Sequence, residues 1–93
     1  MKTSNRMNTI KIQELSTQGC SHCQEARKIL EQEIKSQFPN VEIEYIDMMT
    51  EQGQKMVQDY GIMASPGIVV NEELFSVGDL NKNKLIEKIK SLS

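Results

Sequence analysis

The sequence predicts an α/β domain in the order β-α-β-α-β-β-α, with a four-stranded mixed sheet flanked by three helices. Apolar residues alternate at period two in some segments and recur at spacings of three and four in others. Helix-length segments separate the first three strands, whereas a short turn separates the last two. A crossover through a helix makes strands one and two parallel, and a hairpin makes strands three and four antiparallel.

The first strand is read from Thr9-Ile10-Lys11-Ile12-Gln13-Glu14-Leu15, which alternates and is rich in β-branched residues. Ser16-Thr17-Gln18-Gly19 breaks it. A helix then begins at Cys20, with Cys23, Ala26, Ile29, Leu30 and Ile34 along one face, and stops at Phe38-Pro39. Val41, Ile43 and Tyr45 alternate with Glu42 and Glu44, the pattern of a strand with one polar face, placed near an edge. Thr50 is a candidate cap for a second helix buried through Met56, Val57 and Tyr60, and Gly61 suits a left-handed end. Gly67-Ile68-Val69-Val70 and Leu74-Phe75-Ser76-Val77 flank an Asn71-Glu72-Glu73 turn. From Asn81, the residues Leu85, Ile86, Ile89 and Leu92 share the face of a terminal amphipathic helix. No repeat or linker divides the chain, so residues 9–93 read as one domain after a flexible tail over residues 1–8.

At 93 residues, with 38% apolar and 26% charged, the chain builds one modest core. A net charge of -2 with only two Tyr, two Phe and no Trp leaves neither phosphate-neutralising excess nor a base-stacking platform, which excludes nucleic acid as a partner. No stretch approaches the ~20 apolar residues of a membrane span, and residues 1–8 lack the apolar centre of a secretory signal. The expectation is a cytoplasmic monomer that binds no membrane.

Cys20-Ser21-His22-Cys23 carries the chemistry. A bridge across so short a loop stabilises little, which makes a purely structural role a poor account of the pair. The thiolate is the nucleophile in disulfide exchange, and a helix start offers Cys20 unpaired amides and the positive end of a dipole. Cys23, three residues on, points to nearly the same side and can resolve a mixed disulfide. The two cysteines and His22 fall short of a four-ligand zinc site, yet a soft-metal carrier or a non-catalytic binding module remains an alternative reading. Met48, Met49 and Met56 read as gap fillers of the core.

The strand, the C-x-x-C at a helix start and the later Ser65-Pro66 before a hairpin resemble the thioredoxin and glutaredoxin superfamily over residues 9–92. The motif differs from thioredoxin's Gly-Pro and glutaredoxin's Pro-Tyr insert, and the chain is most similar to the small thioredoxin-like redox-active disulfide proteins of bacteria and archaea. The resemblance implies a thioredoxin-like fold and thiol–disulfide oxidoreductase activity without a cofactor. It implies protein disulfides as substrates and a thioredoxin reductase-like protein or glutathione as electron donor. It also implies a cis Pro66, with the Ser65 backbone offered to an extended substrate. Met63, with Ile62 and Gly78, is expected to line an apolar substrate groove, and His22 with Ser21 to tune the Cys20 thiolate. Glu14 occupies the place of thioredoxin's buried proton-handling carboxylate, but charged side chains are seldom fully buried, and on its residue type it is read as exposed.

Overall fold

A computed structural model describes residues 9–92, and the expected tail, residues 1–8, lies outside them. Strands β1 (Ile10–Ser16), β2 (Val41–Asp47), β3 (Gly67–Val70) and β4 (Glu73–Val77) form one mixed sheet in the order β2-β1-β3-β4. β1 runs parallel to β2, from Ile10 beside Val41 to Ser16 beside Asp47, and antiparallel to β3. The polar-faced β2 is an edge strand, as its alternation predicts. Asn71 and Glu72 both take positive φ in the two-residue turn between β3 and β4. The Asn71 side chain accepts from the Lys11 amide at 2.8 Å, while its own amide donates to the Lys11 carbonyl at 2.8 Å, tying the hairpin tip to β1.

Helix α1 is one continuous run in three parts: α-helical Ser21–Lys28, π-helical Ile29–Ile34 and α-helical Lys35–Gln37. Its buried residues after Cys23 are Ala26, Leu30 and Ile34, the last two each four positions after the one before. The 3.6-residue turn of an α-helix carries spacings of four progressively off one face. The wider turn, seen in the Lys35 amide bonding the Leu30 carbonyl, holds them against the sheet.

Helix α2 is Glu51–Tyr60 and helix α3 is Lys82–Leu92. Ile10, Ile12, Ile68 and Val70 pack with Leu30 and Ile34 of α1 and with Leu85 and Ile89 of α3 on one side of the sheet. Leu15, Ile46, Ile62 and Val69 form a smaller core on the other side, where Met56, Val57 and Tyr60 of α2 rest. The result is three layers with β1 at the centre. Each fully buried Leu or Ile contributes about 1.5–3 kcal/mol.

The caps of α2 follow the sequence: Thr50 Oγ1 accepts from the Gly53 amide at 3.0 Å, and Gly61 closes the helix at φ 67°. Its packing differs from expectation. Met56, Val57 and Tyr60 are only partly buried, and Gly53 is the residue pressed inward. A Cβ on Gly53 would overlap the Asp47 carbonyl and lie 2.7 Å from Met48 Cα, so the absence of a side chain is what lets α2 approach the end of β2. In an open helix, glycine to alanine gains roughly 0.5–1 kcal/mol. Here the sign reverses: Gly53→Ala is expected to cost about 1–3 kcal/mol, as overpacking does, and to lower the urea midpoint at unchanged slope. A gain in stability would show that α2 and β2 do not meet so closely.

Candidate active site

The site is built where β1 ends and α1 starts. Ser16 closes β1, and Gly19 turns the chain at φ 73°, a conformation that favours glycine. Cys20 then stands as the N-cap of α1 in extended backbone, and its sulfur accepts from the Cys23 amide at 3.1 Å. The sulfur therefore takes the place that a Ser or Asp oxygen usually fills at a helix start. Cys20 and Cys23 are joined as a disulfide with Cα atoms 5.2 Å apart. Cys20 is partly exposed while Cys23 is 3% exposed, so the two sulfurs differ in access. An open cavity of about 250 Å³ lies beside the pair, with Thr17, Cys20, Cys23, Arg27 and Asp47 among the residues around it.

Ser65 comes to the other side of the Cys20 sulfur. Its hydroxyl donates to Cys20 Sγ at 3.4 Å and lies 3.1 Å from Thr17 Oγ1. The Ser65–Pro66 peptide is cis. Pro66 is fully buried, and its carbonyl accepts from the Gly78 amide at 2.8 Å. Cys20, Cys23, Ser65, Pro66 and Gly78 thus form one connected cluster drawn from three segments of the chain.

Other predicted residues are placed differently. Met63 is 92% exposed, but Ile62 is 5% exposed and belongs to the smaller core, so the two do not line a common groove. Ile62 and Met63 are adjacent apolar residues in a loop without a period, and only the fold decides which of them turns inward. Ser21 and His22 lie exposed on the first turn of α1, and among the described residues no hydrogen bond joins either side chain to a sulfur.

Glu14 overturns the expectation of exposure, since it is 0% exposed. The period of two along β1 puts it on the face of Ile10 and Ile12, between Tyr45 of β2 and Ile68 of β3. Neither carboxylate oxygen has a hydrogen-bond partner, and Arg27 Nη2 stands 3.5 Å from Oε1, an ion pair too long to be a good hydrogen bond. Burial raises the Glu14 pKa above its ordinary 4.5, and the Arg27 charge offsets that only in part. Arg27 is itself steered by the Tyr45 ring, 4.5 Å away, and by Ser16 Oγ at 3.4 Å. The Tyr45 hydroxyl donates to Glu31, lowering the pKa of that carboxyl; burial, with this bond second, raises the Tyr45 phenol. Sequence reading missed Arg27, although it lies one helical turn beyond Cys23. It also missed Thr17, just after β1, and Asp47, the last residue of β2, which only the fold brings to the same cavity.

Among the described residues no three His, Cys, Asp or Glu side chains are grouped to hold a metal, and no helix is long and apolar enough to cross a membrane.

Residues 8–91 match the thioredoxin domain family. A thioredoxin of Methanocaldococcus jannaschii is 40% identical over 85 residues, covering 90% of this chain and 96% of the relative. A probable thioredoxin of Methanothermobacter marburgensis is 29% identical over 80 residues, or 86% of this chain and 92% of that one. Among solved structures, a thioredoxin-like protein from Clostridium perfringens superposes with TM-score 0.76 at 21% identity, over 92% of this chain and 72% of its own. Fasciola hepatica thioredoxin does so with TM-score 0.70 at 20% identity, over 92% and 83%.

The Glu14 shift has a consequence for stability. A folded pKa above the unfolded value near 4.5 means that ionisation of Glu14 opposes folding. The associated stability is complete below 4.5 and is lost as pH rises through the folded pKa. With both proteins held oxidised, Glu14→Gln is therefore expected to be more stable than the parent at neutral pH, with the difference closing in acid. Urea unfolding across that range checks this, and a difference that widened in acid would contradict it.

Proposed function

This chain belongs to the thioredoxin domain family and is a thiol–disulfide oxidoreductase, and from that premise we propose that Cys20 attacks protein disulfides and Cys23 resolves the mixed disulfide. The observation that carries the assignment is the unequal placement of the sulfurs, with Cys20 partly exposed at the helix end and Cys23 buried one turn inside. The Cys20 thiolate attacks one substrate sulfur; the substrate S–S bond breaks, a Cys20–substrate S–S bond forms, and the departing sulfur takes a proton from water. Cys23, once deprotonated, attacks the Cys20 sulfur, closes the internal disulfide and releases the second substrate sulfur. Two electrons pass from the cysteine pair to the substrate.

Glu14 is assigned as the proton store for Cys23, reached across the cavity that Cys23 and Arg27 both border. The backbone of Ser65 receives the substrate strand: regular pairing of β3 begins only at Gly67, so Ser65 lies outside the ladder and beside the attacking sulfur. Pro66 and Gly78 hold that segment in place, and exposed Met63 supplies apolar contact at the rim. His22 and Ser21 act on Cys20 through space from the first helical turn. The protein works as a cytoplasmic monomer, with a thioredoxin reductase-like protein or glutathione restoring the dithiol. No observation favours the soft-metal alternative.

Two experiments test this reading. Cys23→Ser is expected to accumulate a mixed disulfide with a protein substrate, while Cys20→Ser accumulates none. Equal trapping by both, seen on non-reducing gels, would remove the assignment. Insulin reduction by the intact protein, coupled separately to a thioredoxin reductase system and to glutathione, identifies the donor, and turnover with neither would refute the proposed cycle.

A further inference from the structure

The only hydroxyl in hydrogen-bond contact with the Cys20 sulfur among the described residues is that of Ser65, and behind it stands a second hydroxyl. We propose that Thr17 and Ser65 form a two-hydroxyl relay that delivers a hydrogen bond to the Cys20 thiolate, making Ser65 a catalytic residue through its side chain and Thr17 the positioning residue behind it. The inference rests on Cys20 being the attacking sulfur.

Proton counting orders the relay. A serine hydroxyl has one hydrogen and can accept as well as donate. When the Ser65 hydrogen points at Cys20 Sγ, 3.4 Å away, the 3.1 Å contact with Thr17 Oγ1 must be donated by Thr17. Each bond then polarises the next, so the Thr17 hydroxyl strengthens the one that reaches sulfur. Ser65 and Thr17 are both partly buried and come from segments 48 positions apart, joined here by the fold alone. The Cys23 amide already donates to the same sulfur at 3.1 Å. Ser65 is thus its second donor, approaching from a different element.

The consequence is directional. A disulfide sulfur is a weak acceptor and a thiolate a strong one, so the relay binds the reduced, ionised state more tightly than the oxidised state. It therefore favours the dithiol and makes the Cys20–Cys23 disulfide a stronger oxidant. Threonine at position 65 keeps the hydroxyl, alanine deletes it, and valine at position 17 deletes the second hydroxyl with little change of shape.

Two readouts on the protein without substrate test the relay. The first is the pH dependence of alkylation of Cys20 in the Cys23→Ser background. The second is the equilibrium of the intact pair with glutathione. Ser65→Ala is expected to move the alkylation midpoint upward and to shift the equilibrium about tenfold toward the disulfide, which is a fall of about 30 mV. Ser65→Thr is expected to retain wild-type values. Thr17→Val is expected to shift the equilibrium in the same direction by about twofold, and to add nothing once Ser65 is alanine. Wild-type values for Ser65→Ala in both readouts, failure of Ser65→Thr to rescue, or a Thr17→Val effect that persists without the Ser65 hydroxyl would each overturn the proposal. These measurements need no substrate, so they stay separate from the trapping experiment: reversed trapping would remove Cys20 as the attacker while leaving the hydrogen bond to its sulfur measurable.

Discussion

The bond from the Cys23 amide to the Cys20 sulfur sets the terms for the rest of the molecule. The first amides of a helix have no intrahelical partner, and here one of them is taken up by a sulfur of the redox pair. The sulfur gains a fixed donor and the positive end of the helix, but only if α1 begins where β1 delivers the chain. That junction is fixed from several directions. β1 is clamped between β2 and β3, Gly19 supplies the left-handed turn, and the π-helical stretch of α1 keeps Ala26, Leu30 and Ile34 seated on the sheet. The first helix is held so firmly because its opening residue must not wander.

A second constraint opposes the first in character. Glu14 continues the inward row of Ile10 and Ile12, and a hydrophobic residue there would extend the core without conflict. The carboxylate instead sits unbonded beneath Arg27, which spans the distance from the buried oxygen to the cavity beside the cysteines. The Tyr45 ring and Ser16 hydroxyl steer Arg27, and its charge offsets only part of the desolvation cost. Such an arrangement makes sense as a feature of the site rather than of the core, since a raised carboxyl pKa brings proton exchange closer to the range of a thiol.

Much of this was legible in the sequence because it depends on near neighbours. The periods of two and three to four, Thr50 and Gly61 at the ends of α2, and the short turn before Leu74 are local signals, and the element order followed from them. The cysteine motif could be placed on a strand-to-helix junction for the same reason. Side-chain depth was harder. Residue type marks Glu14 as exposed, whereas its alternation with Ile10 and Ile12 puts it on their face, and the fold follows the period. Gly53 and Ile62 show the same limit, since their burial depends on how closely a distant backbone approaches. The Thr17–Ser65 contact could not be read at all, because no local pattern relates a loop hydroxyl to one 48 positions away.

The difference between local and distant determinants also bears on how the chemistry is tuned. His22 lies within the motif and draws the eye, but it is exposed, and among the described residues no hydrogen bond joins its side chain to a sulfur. Ser65 is neutral, yet it is partly buried and in contact, where a hydrogen bond to a charged acceptor is commonly worth about 1.5–3 kcal/mol. The identity of the residues between two cysteines is therefore an incomplete guide to their redox behaviour. In the proposed relay the segment ending in Ser65 and Pro66 acts on the same sulfur, and the sheet that brings β3 beside β1 is what places it there.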